Sequence, residues 1–305
     1  MTMFETDRRG FMRCLAWAGT GVVWTVSGGV LSSCALGKGL LSAGDFHFVQ
    51  ISDTHIGFDK EANPDTLGTA RAAIARVNAL PVQPELVLHT GDLTHSQKAA
   101  EFDTVAGVLQ ELHAPALFTV PGEHDVFDDD GKLYLSHFGR GTLGDGWRSF
   151  DSHGVHFVGL INVMAFKNGG AGALGEAQLA WLEKDLAPLS DSTPVVVYTH
   201  IPLWAVYPEW GWVTRDGERA LGFLRRFGSV TVLNGHIHQV LQKVEGNVTF
   251  HTAYSTAYPQ PAPGTAPGPG PLKFPASELR THLGLRELTF RANDGALAIV
   301  DSKLG

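Results

Sequence analysis

The chain has 305 residues, of which 44% are hydrophobic and 18% charged, and its formal net charge is −8. This composition is typical of a globular protein and excludes a largely disordered chain, and without a basic excess we expect no nucleic-acid partner. Only one stretch near the N-terminus is apolar enough to concern a membrane, which excludes a multi-span membrane protein. The unusual features are 14 histidines, which can bind metals, and 36 glycines, which allow tight loops.

Residues 1–43 are predicted to form a targeting leader. Arg8 and Arg9 precede an apolar stretch at residues 14–31, an order that resembles a twin-arginine export signal. We therefore expect the twin-arginine export machinery as a partner and a periplasmic or secreted location. A retained membrane anchor is the alternative. Threonines, serine and glycines dilute the hydrophobicity of the stretch, so no stable membrane span is expected in the mature form.

The leader has two candidate processing points. A small-x-small pattern ends at Gly37, and cleavage there would give a soluble protein. Cys34 follows Leu-Ser-Ser, which resembles a lipoprotein box, so lipidation at this cysteine is the alternative. The chain's other cysteine, Cys14, also lies in the leader, and no structural disulfide is expected in residues 44–305.

From Asp45 onward, short apolar runs alternate with segments of helical spacing, which predicts an α/β fold. The predicted strands are, in chain order, 46–51, 86–89, 117–120, 155–161, 195–198, 230–233 and 248–251. Helices are predicted after Asn63-Pro64-Asp65 and over parts of 102–112, 179–186 and 221–224. A final hairpin is predicted from 285–291 and 296–301 around Asn293-Asp294-Gly295. The proline-rich residues 259–275 are expected to form an irregular loop, and residues 44–305 a single domain.

Five short segments carry metal-binding residue types just after predicted strands, where an open α/β sheet places its ligand site. The segments are Asp53-Thr54-His55, Gly91-Asp92, Gly122-Glu123-His124-Asp125, His200 and Gly235-His236-Ile237-His238. If the backbone is extended, Asp53 and His55 project to the same face, and His236 and His238 repeat that arrangement. The flanking glycines allow the chain to turn sharply at these points.

The ligand types indicate a pair of transition metal ions. Mixed carboxylate and imidazole ligands favour Mn, Fe, Zn or Co over Mg or Ca. The number of ligands is sufficient for two ions that share one carboxylate. Two ions about 3.5–4 Å apart can hold a hydroxide between them and neutralise the charge of a phosphoryl group.

The ordered set resembles the calcineurin-like metallophosphoesterase family, whose pattern is D-x-H, G-D, G-N-H-[D/E], H and G-H-x-H. The resemblance covers residues 45–251, and the order of five segments makes it specific. It implies a four-layer α/β/β/α sandwich with a dimetal site at the carboxyl ends of the strands. It further implies two divalent or mixed-valence ions.

The resemblance also implies a role for each matching residue. One metal is assigned to Asp53, His55 and His238, the other to His200 and His236, with Asp92 bridging. His124 matches the family histidine that contacts the substrate phosphate and helps the leaving oxygen depart, as a general acid. Asp125 is a candidate to orient His124, and a solvated carboxylate is the alternative.

Glu123 departs from the family pattern, which has asparagine at this position as a ligand of the second metal. Three carboxylates and one hydroxide balance two divalent ions, whereas asparagine would leave one positive charge. Two hypotheses follow: a preference for monoanionic diesters, or an Fe(III) ion that restores the charge. A Glu123 side chain that points away from the metal is the alternative.

An aromatic segment follows His200 and is predicted to lie near the metals. Its candidate substrate-binding residues are Trp204, Tyr207, Trp210 and Trp212, on which a flat group could stack. Closure of this loop against the core is the alternative. His95 occupies the position of the iron-binding tyrosine of purple acid phosphatases. We expect it to lie in solvent, and a position within reach of the site is the alternative.

The resemblance implies a hydrolase that cleaves phosphoric esters, and its motifs are most similar to the cyclic-nucleotide and glycerophosphodiester phosphodiesterases. The expected partner is a small phosphoester. The alternatives are an acid-phosphatase-like monoesterase and a non-catalytic, metal-dependent phosphate-binding protein.

Overall fold

The computed structural model of the chain describes residues 22–27, 30–35, 44–166, 170–292 and 296–305. The Arg8-Arg9 pair, Cys14 and Gly37 of the predicted leader lie outside the described residues. Strands β1 (Val22–Ser27) and β2 (Val30–Ala35) pair antiparallel. Within the described ranges, none of the helices combines the length and the apolar character needed to cross a membrane.

The regular elements from Asp45 onward alternate as the sequence predicts. The strands are β3 (Phe46–Ile51), β4 (Leu86–His89), β5 (Ala116–Thr119), β6 (Arg148–Ser152), β7 (Val155–Gly159), β8 (Val195–Thr199), β9 (Val230–Asn234), β10 (Gln242–Glu245), β11 (Val248–Thr252), β12 (Gly284–Arg291) and β13 (Ala296–Lys303). The helices are α1 (Thr66–Asn78), α2 (Ala99–Leu109), α3 (Lys132–Phe138), α4 (Glu176–Leu186), α5 (Gly217–Leu224) and α6 (Ala276–Leu279). Short 3-10 helices cover Glu123–Asp125 and Pro208–Trp210.

Two sheets carry the site. One has the strand order β10-β11-β9-β8-β7-β6 and the other β13-β12-β3-β4-β5. Strands β3, β4 and β5 are parallel, and so are β7, β8, β9 and β11. The carboxyl ends of parallel strands therefore line up along one edge of each sheet.

The two sheets pack face to face with helices on both outer faces. Side chains alternate along β3, so that Phe46 and Phe48 meet Phe157 of the other sheet, while Val49 and Ile51 face the helix layer. Helices α1 and α2 cover the β3–β4 side, and α4 and α5 cover the β7–β9 side. The arrangement confirms the expected four-layer α/β/β/α sandwich.

A buried arginine links the two sheets close to the carboxyl ends of β3 and β11. The Arg286 guanidinium donates to both carboxylate oxygens of Asp301, at 2.9 and 3.1 Å. It also donates to the carbonyl oxygen of Thr252 at 2.9 Å and to Gln50 Oε1 at 3.2 Å. Removing any one partner would leave a buried polar group without its hydrogen bond, so this network fixes the relative position of the sheets.

Most predicted elements are confirmed, and the exceptions have a physical reason. Helix α1 begins where predicted, because the Asp65 carboxylate accepts a hydrogen bond from the backbone nitrogen of Gly68 at 2.8 Å. The hairpin of β12 and β13 is confirmed, although residues 293–295 at its turn lie outside the described residues. Strands β1, β2, β6 and β10 and helices α3 and α6 were not predicted. Strand β10, for example, is an exposed edge strand with no apolar run. Residues 259–275 contain no helix or strand, as predicted.

His156 of β7 lies between two carboxylates. Its Nδ1 is 2.8 Å from Asp151 Oδ1, and its Nε2 is 3.0 Å from Asp185 Oδ2. Burial acts to lower the pKa of His156, but the hydrogen bonds to Asp185 and Asp151 raise it above its ordinary value, because an imidazolium can donate to both at once.

We expect His156→Gln to destabilise the protein more at about pH 6 than at about pH 9. A raised pKa in the folded state contributes stability below the unfolded pKa of about 6.5, and this contribution is lost as pH rises through the folded-state pKa. Urea unfolding at both pH values measures the free energy of unfolding, with His113→Gln, at an exposed histidine, as the control. An equal loss of stability at the two pH values would contradict this assignment.

Candidate metal centre

The structure brings the seven predicted ligands together at the carboxyl ends of the strands. Asp53 and His55 follow β3, Asp92 follows β4, Glu123 follows β5, His200 follows β8, and His236 and His238 follow β9. All of them are buried. Ligands from both sheets thus meet in one place.

The first group of ligands consists of Asp53, His55, Asp92 and His238, whose ligand atoms lie within 4.8 Å of one another. Nε2 of His55 is 3.2 Å from Nε2 of His238 and 3.4 Å from Asp92 Oδ2. Nε2 of His238 is 3.3 Å from Asp53 Oδ1. Two ligands about 2.1 Å from an ion with tetrahedral geometry are about 3.4 Å apart, so these spacings suit one shared ion.

The second group consists of Glu123, His200 and His236. Glu123 Oε2 lies 2.8 Å from His200 Nε2, and Glu123 Oε1 lies 3.0 Å from His236 Nδ1. The side chain of Glu123 therefore points into the site. Asp92 Oδ2 is 3.5 Å from His200 Nε2 and 3.4 Å from His55 Nε2, which places one carboxylate oxygen between the two groups.

The hydrogen bonds around the histidines fit metal ions. Nδ1 of His200 donates to the carbonyl oxygen of Thr90 at 2.7 Å, and Nδ1 of His238 donates to that of Tyr258 at 2.6 Å. With Nδ1 bound in this way, Nε2 of His200 is the nitrogen directed at the Glu123 carboxylate, 2.8 Å from Oε2. A proton or a metal ion at this position removes the repulsion between the buried lone pairs, and a set of carboxylates and imidazoles suits transition metal ions.

The charges in the site also favour a cation. Burial acts to raise the pKa of Glu123, but His236 and His200 hold it well below its ordinary value. Burial acts to lower the pKa of His200, but Asp92 and Glu123 hold it well above its ordinary value. Both shifts have the same cause: buried carboxylates stabilise positive charge beside them.

The backbone at the ligands is not extended. Asp53 and His55 still lie in one ligand group, as expected, whereas His236 and His238 lie in different groups. Five ligands have positive φ values: Asp53 (54°), His55 (42°), Asp92 (52°), His236 (70°) and His238 (54°). Residues other than glycine rarely adopt this left-handed conformation, which costs about 1–3 kcal/mol at each position. Backbone hydrogen bonds from Asp53 to Gly91 (3.0 Å) and from His55 to Asp92 (2.9 Å) hold two of these turns.

Two motif glycines provide space as well as flexibility. A Cβ atom at Gly91, whose φ is +96°, would collide with the imidazole of His200. A Cβ atom at Gly122 would collide with the carboxylate of Asp92. The second ligand group can approach Asp92 only because these positions lack side chains.

His124 lies beside the ligands with one ring nitrogen already paired. Its Nδ1 donates to the carbonyl oxygen of His95 at 2.7 Å, which leaves Nε2 available to a substrate. Burial acts to lower the pKa of His124, but Asp92 and Glu123 raise it above its ordinary value. A histidine that keeps its proton to higher pH suits a general acid.

Asp125 does not orient His124. Its carboxylate accepts hydrogen bonds from the backbone nitrogens of Thr94 (2.8 Å) and Gly122 (2.9 Å) and from the Thr94 hydroxyl (2.8 Å). Burial and the charge of Asp92 raise the pKa of Asp125 to about 7. This side chain therefore joins the loops after β4 and β5.

His95 lies in the site, so the expectation that it lies in solvent was wrong. Its ring stacks on that of His124 with 4.6 Å between centroids, and its Nδ1 is 3.3 Å from His55 Nδ1. Burial and the charge of His124 lower the pKa of His95 to about 4. The backbone nitrogen of His95 donates to the Ile56 carbonyl at 2.9 Å, and this bond holds the loop after β4 against the loop after β3.

Tyr258 was missed by the sequence analysis. Its hydroxyl is 3.3 Å from His55 Nε2, and its ring lies 4.9 Å from that of His55 and 4.7 Å from that of His238. The residue precedes the proline-rich segment and belongs to no motif. No spacing in the sequence connects it to the distant ligands.

A cavity of about 380 Å³ opens beside the ligands. Its lining includes Glu123, His124 and His236 together with aromatic residues, among them Trp210 and Trp212. Two predicted substrate-binding residues of the same loop lie elsewhere. Trp204 packs against Phe250 in the core, with 4.8 Å between ring centroids, so its assignment was wrong and loop closure explains it. Tyr207 lies outside the lining and contacts Trp210 edge-on at 5.1 Å.

Comparisons with known proteins agree with this site. The family model of the calcineurin-like phosphoesterases matches residues 46–240. A serine/threonine-protein phosphatase CPPED1 of Danio rerio is 26% identical over 65% of this chain and 71% of its own length. A probable glycerophosphodiester phosphodiesterase GpdQ of Arcobacter nitrofigilis is 26% identical, covering 67% and 76%. A 3′,5′-cyclic adenosine monophosphate phosphodiesterase CpdA of Escherichia coli is 27% identical, covering 63% and 70%.

Solved structures show the same fold. A dimetal phosphatase of Danio rerio superposes with a TM-score of 0.61 at 16% identity, covering 85% of this chain and 99% of that protein. A purple acid phosphatase of yellow lupin superposes with a TM-score of 0.60 at 14% identity, covering 86% and 54%. Since the family match spans more than half of the sequence and the motif residues converge in space, the chain belongs to the calcineurin-like phosphoesterases.

Proposed function

We propose that the protein hydrolyses phosphodiesters with the help of two metal ions, drawn from Mn, Fe and Zn. The observation that carries this proposal is the position of Asp92, whose Oδ2 atom lies 3.4 Å from one ligand group and 3.5 Å from the other. A carboxylate in that position can bridge two ions. Such ions activate water for attack and neutralise charge on the phosphoryl group.

The chain itself supplies the proton for the leaving group. His124 lines the cavity next to Glu123, and its Nδ1 is held by the carbonyl oxygen of His95. This bond fixes the ring and leaves Nε2 to donate a proton to the departing ester oxygen. The neighbouring carboxylates keep His124 protonated, which suits this role.

Glu123 supports a preference for diesters over monoesters. Its carboxylate points at His200 and His236, so it adds a third negative charge to those of Asp53 and Asp92. Two divalent ions and an attacking hydroxide then balance these three carboxylates, so a dianionic monoester gains less from the metal centre than it would with a neutral residue at position 123. Two of the similar proteins are named as phosphodiesterases.

We expect purified protein to contain about two metal ions per chain and to lose hydrolysis of bis(4-nitrophenyl) phosphate on chelation, with recovery when metal is restored. For a diester with an alkyl leaving group, His124→Ala is expected to lower kcat by about 10²–10⁴-fold at unchanged metal content, because the general acid is lost. The loss is expected to be smaller for the nitrophenyl ester, whose leaving group departs as an anion without a proton. His113→Ala, at an exposed histidine, is the control. Tight phosphate binding by the metal-loaded protein, together with a rate that His124→Ala leaves unchanged, would favour the binding-protein alternative.

We expect Glu123→Asn to lower the ratio of diester to monoester kcat/KM by about tenfold or more, because one buried negative charge is removed. Glu123→Gln is the matched variant, since it removes the same charge and keeps the chain length. Metal analysis of both variants tests whether the charge selects Fe(III). Unchanged metal content together with an unchanged ratio would refute both roles of Glu123.

We further propose that the protein is exported by the twin-arginine route, on the strength of Arg8, Arg9 and the apolar residues 14–31. In a bacterial host that has this route, replacing both arginines with lysine is expected to remove phosphoesterase activity from the periplasmic fraction. The Cys34→Ala variant separates the two processing alternatives, because only a lipidated protein would move from the membrane fraction to the soluble fraction. Periplasmic activity that survives the double lysine variant would contradict this route.

A further inference from the structure

The cavity beside the ligands has walls made largely of flat, apolar side chains. Trp210 and Trp212 come from the loop after β8, and Phe127 and Phe166 come from other loops. Phe166 is edge-on to His236 with 5.7 Å between ring centroids. Rings of this kind surround the position where the phosphoryl group is expected.

Phe127 is a large apolar residue that is not packed into the core. Its side chain is 51% exposed, although the described chain buries most of its large apolar residues. The ring lies edge-on to His124 with 5.3 Å between centroids. Phe127 and His124 line the same cavity, so the exposed ring is within reach of a bound ligand. Because His124 acts on the leaving oxygen, Phe127 stands beside the leaving group.

Trp210 is held in place before any substrate binds. Its ring is edge-on to Tyr207 at 5.1 Å and to Trp212 at 5.0 Å. The backbone nitrogen of Trp212 donates to the Tyr207 carbonyl at 3.1 Å, which closes the turn that carries Trp210. A ring fixed in this way loses little conformational entropy when a ligand stacks on it.

The proline-rich segment 259–275 contributes to the lining of the same cavity. Pro269 and Pro271 line the cavity together with Trp210. A Cβ atom at Gly264 would lie 3.3 Å from Tyr207 Oη, so the segment and the aromatic turn are in contact. We call the part of the cavity lined by Trp210, Pro269 and Pro271 the slot, because these side chains give it apolar sides.

We infer that the preferred substrates are phosphodiesters whose retained ester group carries a flat aromatic or heteroaromatic ring, and that Trp210 selects them. This inference rests on the proposed function. With Phe127 beside the leaving group, the slot at Trp210 is left for the second ester group. A monoester has no second ester group, and a small alkyl group would leave the slot largely unfilled.

Two substrates with the same leaving group test this inference on the metal-loaded protein. Phenyl 4-nitrophenyl phosphate and methyl 4-nitrophenyl phosphate differ only in the retained group, and their intrinsic reactivities cancel when variants are compared. We expect Trp210→Leu to lower the ratio of phenyl to methyl kcat/KM by about tenfold, the size typical of one stacking contact. Trp204→Leu is the matched control, because this tryptophan belongs to the same loop but packs in the core. That control is expected to leave the ratio unchanged.

Binding of the products gives a second measurement that does not need turnover. By calorimetry, phenyl phosphate is expected to bind about tenfold more tightly than methyl phosphate, and Trp210→Leu to abolish the difference. An unchanged ratio in Trp210→Leu, or an equal loss for both esters, would overturn the inference while leaving the diesterase proposal intact. If neither ester were hydrolysed, the diesterase proposal would fail, and equal binding of the two products would then overturn this inference separately.

Discussion

The structure depends on one electrostatic constraint: three buried carboxylates and several buried imidazoles share a small volume. Asp53, Asp92 and Glu123 cannot all remain ionised away from water unless positive charge lies among them. In the neighbouring histidines His200 and His238, Nδ1 is bound to a backbone carbonyl oxygen. Their Nε2 atoms are directed at a carboxylate or at a second imidazole. The left-handed backbone at five of the ligands, and the missing side chains at two glycines, are consequences of bringing these groups together.

The frame around the site has to hold two halves that come from different sheets. Asp53, His55 and Asp92 follow strands of one sheet, whereas the histidines after β8 and β9 follow strands of the other. Spacings of 2.8–3.5 Å across this junction require that the sheets do not slide. The phenylalanines packed between the sheets and the buried Arg286 network meet this requirement. The packing of the sheets therefore sets the distances between the ligands.

The two proposals assign substrate selection to two different properties of the site, its charge and its shape. Glu123 sets the net charge of the centre, which acts on the phosphoryl group of any substrate. The aromatic slot at Trp210 acts only on the group attached to it. Because these contacts involve different parts of the substrate, substitution at one is expected to leave the preference set by the other in place. Phe127 stands on the leaving-group side, next to His124.

The sequence by itself determined the α/β class, the order of the motifs that follow the strands and the seven residues that converge as candidate metal ligands, because these follow from residue type and local spacing. It also marked Glu123 as a departure, since a single position in an ordered motif is sufficient to see it. Only the tertiary structure decided which residues outside the motifs meet the ligands: Tyr258 and His95 join them, and Trp204 turns into the core. The physical reason is that these contacts connect parts of the chain far apart in sequence, and their distances are set by how two sheets stack and how loops fold back, not by any local pattern.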